Sequence, residues 1–190
     1  IDEAQAKMSA EECLQDSAKE GLELVEAQGG YTRPSEGISV SEIRIGYISQ
    51  ENVQMRTMED IEEDIAQYVE VSLSECFEQG FEQYSVEQNT ASVTIQFEVK
   101  NMLISAEWYL RFVDEEGEIS FEIQELHTKL SSSFKQLFQE AERFIDQEPY
   151  IDSSLQYYEV QNVSVHLMNV GNESMVYFSQ GEEYFVTAYA

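Results

Sequence analysis

The chain has 190 residues, 42% of them hydrophobic and 12% aromatic, which is enough for a sizeable core and predicts one globular domain over 1–190. Its 38 Asp and Glu stand against 10 Lys and Arg, a formal charge of -28. That balance excludes nucleic acid and anionic membrane surfaces as partners, because both require a basic footprint.

The first stretch reads as a long helix over 1–30. Ala10, Leu14, Ala18, Gly21 and Val25 recur at spacings of three and four and share one face, with Cys13 and Ser17 beside them. Gly29-Gly30 supplies a left-handed stop and Pro34 prevents resumption. Ala4, Ala6, Met8 and Ala10 carry the helical pattern back to Ile1. The expectation is therefore a helix continuing from a signal or membrane anchor upstream, with an ordinary boundary as the alternative; the chain itself contains no apolar window of spanning length.

From Ile38 to Ile48 apolar residues alternate, but the phase slips at Ser41-Glu42, which predicts either a bulge or two short strands. Thr57 with Asp60 three residues on is a capping-box signal that opens a second helix. Its apolar stripe is Ile61, Ile65, Tyr68, Val69, Leu73 and Cys76, with Glu62, Glu63 and Glu70 facing water and an end near Gly80.

Three alternating runs follow: Val93 to Val99, Ile104 to Phe112, and Ile119 to Ile123. A loop over Lys100 to Leu103 would set Val99 opposite Ile104, and a loop over Asp114 to Gly117 would set Phe112 opposite Ile119. All the apolar side chains of this meander then share a face. A third helix over Thr128 to Gln147, with Leu130, Phe134, Leu137, Phe138, Ala141, Phe144 and Ile145 at helical spacing, is expected to cover it. Beyond Pro149, Leu155 to Tyr158 suggests one helical turn. Val163, Val165 and Leu167 should then pair with Val176 and Phe178, and Gly181-Glu182 should form a II′ turn before Tyr184 to Tyr189. The predicted fold class is α+β: an antiparallel meander with long amphipathic helices on one face, led by an N-terminal helix.

The pattern Cys13-Leu14, Ala18, Glu20-Gly21-Leu22, Leu24, Gln28-Gly29-Gly30-Tyr31 resembles the opening of an uncharacterised family of small membrane-anchored proteins from symbiotic, small-genome archaea. In that family the motif follows a transmembrane helix, a second cysteine ends the next long helix, and a meander, a long helix and a final β segment come after. The chain departs from the family pattern at Met102-Leu103, where a Pro-Leu turn is expected. What the resemblance implies is topology and a location on the outer side of a membrane, with no activity attached.

Signatures of catalysis are absent from the sequence: no G-x-S-x-G, H-E-x-x-H, C-x-x-C or glycine-rich phosphate loop occurs. His127 is expected at the start of the third helix and His166 on the outer side of its strand, neither with ligands at metal spacing. Asp114-Glu115-Glu116-Gly117-Glu118 is the best stretch for a cation, but it lacks the alternating oxygen ligands of an EF-hand. Acids spread along the whole chain fit adaptation to high salt, where the Debye length falls to about 3 Å. No catalytic, cofactor or metal residue is assigned. Asn162 and Asn172 begin N-x-S sequons. Cys13 and Cys76 lie near the apolar faces of their helices; an exported chain would pair them, and two buried free thiols are the alternative. The expected role is a non-enzymatic, membrane-anchored exoplasmic module for surface assembly or contact with a protein partner. The alternatives are a pilin-like filament subunit and a hydrolase or ligand sensor.

Overall fold

A computed structural model describes residues 3–49, 56–80, 85–113, 119–147, 157–160, 162–170 and 173–189. In chain order these form α1 (Glu3–Ala27), β1 (Gly37–Val40), β2 (Ile43–Ser49), α2 (Met58–Gly80), β3 (Ser85–Gln88), β4 (Ser92–Phe97), β5 (Asn101–Val113), β6 (Ile119–Ser131), α3 (Phe134–Gln147), β7 (Tyr157–Val160), β8 (Val163–Val170), β9 (Glu173–Gln180) and β10 (Glu183–Tyr189). The class is α+β, with two mostly antiparallel sheets. Contacts divide the chain into two units, each assembled from three segments: 1–21, 62–96 and 102–130 in one, and 22–61, 97–101 and 131–190 in the other.

In the first unit β5 is central, with β3 and β4 along one side and β6 on the other. Its alternation is strict: Met102, Ile104, Ala106, Trp108, Leu110 and Phe112 are all buried, as a half-covered strand requires. The turn before it is tighter than expected. Glu98 N–H reaches Asn101 C=O at 2.8 Å, so β5 already begins at Asn101, Met102 takes an inward place, and Val99 is left exposed. The loop expected at Asp114 to Gly117 lies outside the described residues.

Strand β6 also overruns the expectation. Inward positions pass from Ile123 to Leu126, a change of parity such as one inserted residue produces, and the strand continues to Ser131. Leu126, Leu130 and Phe134 are each four apart, which imitates a helix in the sequence. The first unit's helical pieces are residues 3–21 of α1 and 62–80 of α2. Their buried stripes are Ala6, Ala10, Leu14 and Ala18, and Ile65, Val69 and Leu73. Glu70 does not simply face water: its carboxylate accepts the Val93 N–H at 2.9 Å and ties α2 to the start of β4.

The second unit holds a six-stranded sheet in the order β1-β2-β10-β9-β8-β7. Ser41-Glu42 joins two short strands, with Val40 opposite Ile43 and Ser41 at φ 56°. The β8–β9 and β9–β10 hairpins have the expected register, Val165 opposite Phe178 and Gln180 opposite Glu183, the latter turning at Gly181. Residues 157–160 form a strand paired with β8 rather than a helical turn. Parallel pairing of β10 with β2, Ala188 opposite Tyr47, was not foreseen.

The Gln28-Gly29-Gly30-Tyr31 motif is how α1 ends on this sheet. Gly30 N–H closes on Val25 C=O at 2.8 Å, and Gly46 N–H donates to Gln28 C=O at 3.0 Å. Gly29 has φ +74°, and a Cβ there would lie 2.3 Å from the Gly46 carbonyl oxygen. Tyr31 lies over Gly46 and its hydroxyl donates to Tyr47 C=O at 3.1 Å, while the Arg56 guanidinium sits 4.0 Å above its ring.

At the start of α2 the capping box forms as read: Thr57 N–H donates to Asp60 Oδ2 at 2.7 Å and Asp60 N–H to Thr57 Oγ1 at 3.2 Å. Helix α3 begins at Phe134, not Thr128, because β6 holds the residues through Ser131; Ser132 Oγ receives Phe134 N–H at 3.0 Å. It touches the expected meander only at its start, where Phe134 meets Phe97 of β4 at 5.1 Å, and otherwise lies against the other sheet. Its rings pack on β9 and β10, Phe134 and Phe138 on Phe185 and Phe144 on Phe178.

Candidate functional site

Cys13 and Cys76, the residues singled out for a bridge, lie together in the first unit with Cα atoms 5.9 Å apart and their sulfurs bonded, a separation that suits a disulfide. They join α1 to α2. Asn162 is exposed at φ 68° in the turn between β7 and β8, where an acceptor side chain is accessible; Asn172 lies outside the described residues, as does the Asp114 to Glu118 stretch. His127 is on the exposed face of β6 rather than at a helix start, because that strand runs on to Ser131. His166 is on the outer side of β8, as expected. Among the described residues no group of three or more His, Cys, Asp or Glu is arranged to hold a metal ion.

The distinctive chemistry of the second unit is a line of rings that ends at buried acid. Side chains alternate across strands, so His166, its cross-strand partner Tyr177, and Tyr184 diagonal to Tyr177 share one face. His166 meets Tyr177 edge-on at 6.1 Å, and Tyr177 stacks on Tyr184 at 5.8 Å with planes 13° apart. Both tyrosines are half-buried while His166 is exposed. Beyond Tyr184 stands Glu26, in the last turn of α1 and only 8% exposed. Burial pushes its carboxyl up to about 8, and the charges of Glu183 and Glu23 push the same way. Burial, with Glu26, Tyr177 and Glu23 adding to it, raises the Tyr184 hydroxyl as well.

Glu183 is anchored to the start of α3. Its Oε2 accepts Ser133 N–H at 2.5 Å and the Ser133 hydroxyl. Glu26 therefore keeps its proton at neutral pH, and Glu183 is held in place by the two Ser133 donors. An anionic rim beside stacked phenol rings is the arrangement that attracts a cation, through charge at the edge and through the ring faces.

The first unit carries the opposite kind of surface. On its outer face Tyr109 hydroxyl donates to Glu122 at 2.6 Å, and Arg111 Nε donates to Glu122 at 3.1 Å while Arg111 Nη1 reaches Glu87 at 3.2 Å. The hydrogen bonds from Tyr109 and Arg111 hold the Glu122 carboxyl below its ordinary value. Arg111 is thus already engaged by protein acids, and the network reads as surface structure.

Sequence reasoning missed Glu26, because an acid in a helix with Glu20 and Glu23 looks solvated. The available signal was its place four residues after Leu22 and next to Val25, both buried. The stacking of Tyr177 on Tyr184 was not legible in the sequence, since ring contacts across strands depend on register. The chain matches no protein-family model, no curated protein and no solved structure.

Proposed function

We propose that the chain is a non-enzymatic protein-contact module of an extracytoplasmic compartment, and that it receives basic segments of its partner on the His166–Tyr177–Tyr184 face. The observation that carries this reading is the stacked Tyr177–Tyr184 pair bordered by Glu23 and Glu183. Tyrosine is enriched at protein interfaces because it offers large area with little conformational freedom to lose, and acid beside it selects Lys or Arg. The Cys13–Cys76 bridge supports an oxidising location. The charge of -28 speeds encounter with a cationic partner and repels anionic ones.

Any protein this acidic attracts basic peptides, so the test compares faces. An Arg- and Lys-containing peptide is titrated by calorimetry at moderate salt against wild type, Tyr177→Ser/Tyr184→Ser, and Tyr109→Ser as a control in the other unit. Loss of binding in the double variant with retention in the control is expected. Equal binding by all three would overturn the reading.

A further inference from the structure

Strand β6 pairs with β5 along one side, and among the described residues no strand pairs with its other side. It is 13 residues long, more than twice the usual strand of about 5 or 6. A row of outward N–H and C=O groups on a strand of that length is a template for another strand. Glu125, His127 and Lys129 project from one exposed face there, with the Glu125 and His127 side chains 70% and 71% exposed.

When two copies of an edge meet antiparallel about a twofold axis, one residue faces itself and its neighbours pair symmetrically. Centring on Glu125 would oppose two acids. Centring on Thr128 would put His127 against Lys129. Centring on His127 sets Glu125 opposite Lys129 of the partner subunit twice, with Leu126 and Thr128 facing each other on the opposite side of the sheet. The charge pattern is complementary to itself in that register, and unlike charges directly opposite favour a strand pair.

We propose that β6 is the docking edge for a second copy of this chain, added antiparallel with His127 on the twofold axis so that the two four-stranded sheets become one. Main-chain hydrogen bonds hold the copies together, and Glu125 and Lys129 select the register. Each copy carries a charge of -28, so association requires salt: at molar ionic strength the Debye length is about 3 Å, which removes long-range repulsion. The proposal does not depend on the basic-segment reading, because β6 through Leu130 and the tyrosine face belong to different units.

Sedimentation equilibrium of the full chain in molar KCl tests it. Wild type should dimerise there and separate at low salt. Lys129→Glu should weaken the dimer by roughly tenfold or more, since it opposes acids at two places, and Glu125→Lys/Lys129→Glu should restore it. A monomer in molar salt, or a single variant that associates as well as wild type, would overturn the proposal. As a second readout, His127→Cys should give a covalent dimer on mild oxidation or with a short bis-maleimide, whereas Thr94→Cys on exposed β4 should not. Equal cross-linking by both would also overturn it.

Discussion

On the outer face of the first unit, Glu122 receives hydrogen bonds from Tyr109 and Arg111, and its carboxyl is held below the ordinary value. In the second unit Glu26 is buried beside two further acids, and its carboxyl is pushed up to about 8. The same side chain is an anion in one place and an acid that keeps its proton in the other. With 38 acids in the chain, position alone says little; what decides the state of each is whether donors or other carboxyls surround it. The units differ in bracing as well, since both cysteines are in the first.

The largest effect should come from breaking the contrast at Glu26. Its folded value lies above the unfolded one, so its contribution is fully present below about 4.5, declines as pH rises toward about 8, and changes no further above that. At roughly 1.4 kcal/mol per pH unit the decline is at most about 5 kcal/mol. Denaturant melts across that range should show wild type losing stability relative to Glu26→Gln, which cannot ionise. Parallel curves for the two proteins would refute the buried-acid assignment.

Next in size is the bridge. Cys13 and Cys76 are 63 residues apart, and closing a loop of that length is worth about 4 kcal/mol in chain entropy. Cys13→Ser/Cys76→Ser should therefore melt well below wild type, and hydrogen exchange should locate the added opening in α1 and α2. An unchanged midpoint would show that the helices hold without it.

The smallest effect sharpens the comparison from the other side. Arg111→Ala removes one of the donors to Glu122, so the Glu122 carboxyl, followed by NMR titration, should rise toward its ordinary value. Because the lowered group gains stability above its unfolded value, any loss appears as pH falls, opposite in sense to Glu26.

What could be read from the sequence divides along similar lines. The capping box at Thr57 and Asp60, the alternation of β4 and β5, and the helical stop at Gly29-Gly30 are local patterns, and a few neighbouring residues specify each. The continuation of β6 was hidden because Leu126, Leu130 and Phe134 fall at helical spacing after a slip in parity. Strand β7 is only four residues, too short for a period to show. Parallel pairing of β2 with β10 leaves no local mark, because register between distant strands is set by the assembled sheet. The α+β class survived these errors; the placement of α3 did not.

That last pairing has a consequence for how the chain folds. Thr187 and Gly46, which meet where β10 joins β2, are 141 residues apart. The N-terminal hairpin β1–β2 therefore waits, with one edge open, until the ribosome has delivered β10 to the middle of the sheet. Such long-range closure makes folding slow, and it leaves an exposed strand edge during synthesis that invites mispairing. Gln180→Pro should make the delay visible as a stalled intermediate: proline there removes the β9 N–H that faces Glu183 beside the turn and cripples the hairpin that brings β10 into place.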